Sequence, residues 1–200
     1  TVGRIMQTPT GVDADGVVTT TVQLASGGYP WPAVAETHAK IIETIRQQPG
    51  VQAAGGTNFR PLDVGWRNPI GLVGEPPPSR PEDAPQVQMH SVSEGYFETM
   101  GANLASGRWL TAFDGVGGRP VLIVNETFAK RFFPGGPAVG RFVATSATGI
   151  GPLGLNLLRA RPAPPPGAPA LPRLPPTEYE IVGVVKDVRN VPLGQATEPA

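Results

Sequence analysis

Residues 17–24 alternate, with Val18, Thr20, Val22 and Leu24 on one side and Thr19, Thr21 and Gln23 on the other, which is the two-residue period of a half-buried strand. The period then lengthens. Beyond a turn at residues 27–30, Pro32 suits the first turn of a helix, and Val34, His38, Ile41, Ile42 and Ile45 fall on one stripe of a run that reaches Gln48. Pro49 and Gly50 close this helix, and residues 51–57 can return as a second strand weakened at its end by Gly55 and Gly56. The first unit therefore reads β-α-β. Residues 60–85 are punctuated by Pro and Gly, with 70–73 as the only strand candidate and 75–85 as loop. Alternation resumes over residues 86–92, Val87, Met89 and Ser91 opposing Gln86, Gln88 and His90, and a short helix over 93–100 ends at Gly101.

The least ambiguous segment is PVLIVNETFAKRFFPGGPAVGRF at residues 120–142. Residues 121–124 form an aliphatic strand, Asn125 caps the next helix through its side-chain oxygen, and Glu126 complements the positive helix end. Phe128 and Phe132 share one helix face, and Pro134 with Gly135 stops the helix. Each conspicuous residue here serves folding. Strand candidates follow at 142–144 and 179–185, separated by RPAPPPGAPALPRLPP at 161–176. Those prolines lack N–H donors and favour polyproline II, which predicts a solvated loop that folding can spare.

Two hundred residues suit one domain of two lobes or two small domains. The 16 Lys and Arg balance 16 Asp and Glu, so charge gives no reason to expect nucleic acid as a partner. Charged residues make up 16%, below the roughly 25% of an average soluble domain, so solubility leans on Gly, Pro, Ser, Thr and Gln. With no Cys there are no disulfides, thiolate chemistry or Cys-ligated metal. No run approaches the roughly 18 apolar residues of a spanning helix, and no signal peptide is written. The chain starts at Thr1 without Met, which predicts a piece of a longer protein whose membrane segments lie outside it.

The candidate chemistry reads as structure. Gly149, Gly151 and Gly154 spell G-x-G-x-x-G with Glu178 downstream, yet Pro152 lies inside the motif and Pro162 cuts off the helix that a dinucleotide site requires. His38 projects onto the apolar helix stripe and His90 shares a polar strand face with Gln86 and Gln88, neither with a second ligand at zinc spacing. Asp13 and Asp15 before Gly16 lack the later ligands of a calcium loop. Glu94, Glu98, Asp114 and Glu126 form no pair whose spacing forces two carboxylates together, and no G-x-S-x-G elbow or Walker A sequence occurs. The sequence thus assigns no catalytic, cofactor-binding or metal-ligating residue.

Five blocks in one order resemble a known family: an amphipathic helix ending in QQPGV, then VSEGYF from Val92, SGRWLTAFD from Ser106, IVNETFAKRFFPG from Ile123 and EIVGVVKDVR from Glu180. Together they resemble the periplasmic core domain of MacB-type ABC transporter permeases, nearest to duplicated orphan permeases of acidobacteria-like genomes. That resemblance implies an α+β, two-lobed domain with mixed sheets, standing outside the inner membrane between its first two membrane helices and carrying no active site. The implied division places residues 1–100 in the first part of a membrane-near α/β lobe. Residues 101–189 would form an inserted β-rich lobe including the loop 149–176, and 190–200 would begin the return to a lobe that is C-terminally incomplete. The implied function is to couple the ATP-driven membrane cycle to export or to periplasmic partners. Those partners would be a separate ATPase subunit or domain, a periplasmic adaptor or substrate, and a second permease copy as dimer. The alternative is a stand-alone extracellular binding or adhesion module using the Pro-rich segment or Trp31, Trp66 and Trp109.

Overall fold

The computed structural model describes residues 15–22, 31–58, 66–76, 78–80, 83–114, 118–145 and 177–187. Its elements are α1 (Trp31–Arg46), β1 (Trp66–Leu72), β2 (Gln86–Met89), α2 (Tyr96–Thr99), β3 (Leu104–Gly107), β4 (Val121–Asn125), α3 (Glu126–Phe132), β5 (Phe142–Thr145) and β6 (Thr177–Val185), with a 3-10 turn at Ala112–Asp114. The class is α+β, as the sequence predicts.

Strand β6 organises the sheet. It runs parallel to β4 and antiparallel to β5 and β3, while β1 lies antiparallel to both β5 and β2. Glu180 pairs with both Phe142 and Val121, and Val184 with both Ser106 and Val124, so β5 and β3 lie end to end along the edge of β6 opposite β4. Loop backbone closes the seam between them: Gly140 N–H donates to the Ile181 carbonyl at 2.8 Å, Ile181 N–H to Arg141 at 2.8 Å, and Arg108 N–H to Val182 at 2.9 Å. One edge of β6 is thereby satisfied by two chain segments from different parts of the sequence, which is the reason its run from Ile181 to Val185 can be buried throughout.

The main core lies between this sheet and α3. Ile70, Val87, Val124, Phe128, Phe133, Ala138, Val143, Ile181 and Val184 form one cluster. Its aromatic part follows from the four-residue spacing read in the sequence: Phe128 and Phe132 have ring centroids 4.6 Å apart. Asn125 caps α3 as expected, its Oδ1 accepting the Phe128 N–H at 2.8 Å.

Three expectations need correction. Residues 17–22 are not a strand, and Val18 (91% exposed) and Val22 (41%) face water; alternation fits a segment for a sheet but supplies no neighbour, and no described residue pairs with it. Residues 51–57 make only a single antiparallel bridge, Thr57 to Val92, so the first unit is not β-α-β among the described residues. Strand β3, in Leu-Ala-Ser-Gly, was not foreseen because it has no β-branched residue. In the six-stranded sheet β2 pairs with β1, and β1 pairs in turn with β5. The glycine triplet, Asp13 and the loop 149–176 lie outside the described residues.

Candidate functional site

The blocks that stand out in the sequence meet one another in space, and their polar side chains make joints. The first joint ties α1 to the SEGYF block. Arg46, in the last turn of α1, donates Nε–H to the Ala54 carbonyl at 3.1 Å and Nη2–H to the Glu94 carbonyl at 2.8 Å, with the Glu94 carboxylate 4.0 Å from Nη1. Ser93 accepts the Gly56 N–H on its Oγ at 2.8 Å and donates its own N–H to the Gly56 carbonyl at 2.9 Å. Gly95 turns the chain into α2 at φ 81°, and a Cβ there would lie 2.5 Å from the Ala54 carbonyl oxygen, so this block requires glycine twice over.

The second joint lies between SGR and VGVV. Gly107 pairs with Gly183 across β3 and β6. A Cβ on Gly107 would sit 2.3 Å from the Val182 carbonyl oxygen, and one on Gly183 would sit 2.5 Å from that of Arg108. Only two glycines allow the strands to approach so closely.

The third joint caps α3 a second time, from across the sheet. Asp187, just past β6, accepts the Thr127 N–H at 2.9 Å and the Thr127 hydroxyl at 2.8 Å. The N-terminus of α3 thus holds Asn125 from its own strand and a carboxylate from its parallel neighbour, both favoured by the helix dipole.

The fourth is a clip in SGRWLTAFD. Both Arg108 Nη atoms donate to the Asp114 carboxylate, at 2.6 and 2.8 Å, and the Thr111 N–H and hydroxyl donate to it at 2.7 and 2.9 Å. The Arg108 guanidinium, followed by the Thr111 donors, holds the Asp114 carboxyl well below the usual carboxylate range. Beside the clip, Trp109 stacks on Phe97 of α2 with centroids 5.1 Å apart.

The acidic residues singled out in the sequence are engaged in structure. Glu94 faces Arg46, Asp114 is clamped by Arg108, and Glu126 lies 3.8 Å from Lys130, while Glu98 is exposed in α2. His38 is half-buried on α1, and His90 is half-buried just after β2. Among the described residues no three His, Asp or Glu side chains gather as a metal site. Trp109 is half-buried in its stack, and the side chains of Trp31 and Trp66 lie outside the description. The joints formed by Arg46 and Asp187 were missed, since their partners lie 48 and 60 residues away; the available signals were a cation at the helix end and an acid just past a strand.

A domain built of α and β elements around joints between distant blocks is the class of protein at hand. The chain belongs to the family of MacB-like periplasmic core domains, whose model matches residues 4–198. No curated protein matches it. Among solved structures it is similar to the extracellular domain of the noncanonic ABC-type transporter YknZ from Gram-positive bacteria, at 14% identity and a TM-score of 0.43, covering 80% of this chain and 58% of that one. It is also similar to the periplasmic region of MacB from Actinobacillus actinomycetemcomitans, at 14% identity and a TM-score of 0.44, covering 86% and 67%. A domain of a putative permease from Porphyromonas gingivalis matches at 15% identity and a TM-score of 0.40, covering 74% and 49%. Among the described residues no helix is long and apolar enough to cross a membrane.

Proposed function

We propose that this chain is a non-catalytic, extracytoplasmic part of an ABC transporter permease subunit, coupling an ATP-driven membrane cycle to export or to periplasmic partners. The observation that carries the reading is the family match over residues 4–198. The joints support it physically. A part that passes on displacement needs distant segments locked together, and Arg46, Gly107 with Gly183, and Asp187 each lock one block to another. In this reading the membrane helices belong to the same permease, ATP is hydrolysed by a separate subunit or domain, and a second permease copy completes a dimer. A periplasmic adaptor or the exported substrate is met on the outer side.

The test uses the full permease reconstituted with its ATPase in lipid nanodiscs. A spin label on Lys130, exposed on α3, reports the distance between the two copies by pulsed electron resonance. The expected result is a distance distribution that shifts between the nucleotide-free and the ATP-trapped complex. An unchanged distribution, with ATP turnover intact, would refute mechanical coupling through this domain.

A further inference from the structure

In the loop between β3 and β4, Asp114 directly precedes Gly115. That order is chemically unstable in a flexible peptide, because glycine has no Cβ to shield its nitrogen or to restrict its backbone. The Gly115 nitrogen, giving up its proton, can bond to the carbon of the Asp114 side-chain carboxyl, whose hydroxyl oxygen leaves as water. A five-membered imide results. Water then adds to one of its two carbonyls: one opening restores aspartate, and the other leads the main chain through the side-chain carbonyl as isoaspartate. Water is the only co-reactant, and the product has one more carbon in its backbone.

The reaction makes two demands on Asp114. Its carboxyl must turn toward the residue that follows, and it must be neutral, since an ionised carboxylate does not release its oxygen. The clip opposes both. Arg108 holds both carboxylate oxygens, at 2.6 and 2.8 Å, and the Thr111 N–H and hydroxyl add bonds at 2.7 and 2.9 Å, so the group is tied to residues that precede it. The Asp114 N–H closes on the Thr111 carbonyl at 3.0 Å and fixes the turn Ala112–Asp114. Only 10% of the Asp114 side chain is exposed, so water competes little for these bonds. The same donors favour the ionised form. We infer that Asp114–Gly115 is a latent site of isoaspartate formation, and that Arg108, seconded by Thr111, guards it. An isoaspartate here would lengthen the loop backbone and carry the carboxylate away from Arg108, so the clip would not close again.

The test incubates the intact protein at neutral pH in heavy-oxygen water, beside a synthetic peptide of residues 109–119 that keeps Thr111 and Gly115 but lacks Arg108. Peptide mapping with electron-transfer fragmentation separates isoaspartate from aspartate at position 114, and label uptake there counts each imide opening. Each pKa unit by which a carboxyl is held below its ordinary value lowers its neutral fraction about tenfold. The folded protein should therefore form isoaspartate about tenfold or more slowly than the peptide. Arg108→Gln, which removes the charge, should bring the folded rate most of the way to that of the peptide. Thr111→Val, which lacks only the hydroxyl donor, should raise it less. Amide exchange in β6 is followed in both variants, and faster reaction at Asp114 with β6 still protected is the expected result. A wild-type rate equal to that of the peptide, or variants as slow as wild type, overturns the inference. So does a rise confined to variants that have lost protection in β6, because general unfolding would then account for it.

Discussion

Around the sheet and α3, buried apolar side chains from Ile70 to Val184 form one continuous cluster, whereas around α1 the buried residues Val34, Ala54 and Met100 lie outside it. The α1 stripe is only partly covered: Val34 is 1% exposed, Ile41 and Ile42 are half-buried, and Ile45 is 37% exposed. What fixes the end of α1 is instead the directed bonds of Arg46 to the Ala54 and Glu94 carbonyls, beside the Gly56–Ser93 pair. Apolar burial is non-directional and roughly proportional to area, so the sheet region depends on how much is packed. Hydrogen bonds act only when their partners are placed, so the α1 region depends on which few residues are present. The same chain holds one part by bulk and the other by address.

The largest expected effect is a break in the first half of that contrast. Phe128 is 2% exposed and touches both Phe132 and Phe133, so Phe128→Ala should cost about 3–5 kcal/mol, measured by denaturant unfolding. A loss under about 1 kcal/mol would mean that the cluster does not hold the sheet. Next comes Gly183→Ala, whose Cβ would meet the Arg108 carbonyl. It should cost about 1–3 kcal/mol and speed amide exchange at Arg108, which borders the seam, and at Lys186, which donates to the Asn103 carbonyl at the other end of β3. Unchanged exchange there would show that the strands do not need both glycines.

Much of the sheet region was legible because its signals are local. The Asn125 cap, the Phe128–Phe132 face and the Pro134-Gly135 stop all lie within one helix and its borders. The sequence offered a strand only over 70–73, whereas β1 begins at Trp66 and takes in Pro69, a residue that sheets admit at edges and bulges. The structure shows why it is tolerated: Ile70 N–H donates to Pro85 on the β2 side, so the nitrogen of Pro69 faces the other side, where pairing with β5 begins only at Ile70. The pattern at Val18 and Val22 is as regular as any in the chain, yet a strand is a relation between two segments and alternation describes only one. Joints were the least legible feature. Arg46 to Glu94 and Asp187 to Thr127 join residues that only the folded chain brings together, and the Arg108–Asp114 pair, six residues apart, shows its charges but not the turn that closes them.

The second half of the contrast is sharpened by Arg46→Met, which keeps much of the apolar stem and removes the donors. Leaving the Ala54 and Glu94 carbonyls without this partner should cost about 1–3 kcal/mol, felt locally. Hydrogen exchange should rise at residues 54–57 and 91–96 while β5 and β6 keep their protection. Uniform loss of protection across β6 would show instead that the two regions unfold as one, and the contrast would fall.

The smallest effect concerns the clip that lies where the two regions touch, beside the Trp109–Phe97 stack. The Asp114 carboxyl is held well below its ordinary range by Arg108 and Thr111, and an unfolded Asp titrates near about 3.9. Since the folded value is the lower one, the clip contributes stability that is fully present above the unfolded value and is lost as pH falls from about 4 toward the folded value. Neutral and mildly acidic solutions should therefore leave it closed. With one partner half-exposed, Arg108 at 47%, the contribution is screened and modest. Nuclear magnetic resonance of the Thr111 amide, which donates to Asp114, is the direct measurement: its shift should stay constant from pH 7 to about 5 and move only below about 3.9. In Asp114→Asn that acid transition should vanish, and the stability difference between variant and wild type should shrink as pH falls. A Thr111 transition centred at the ordinary value of about 3.9 would show that Arg108 does not grip Asp114 in solution.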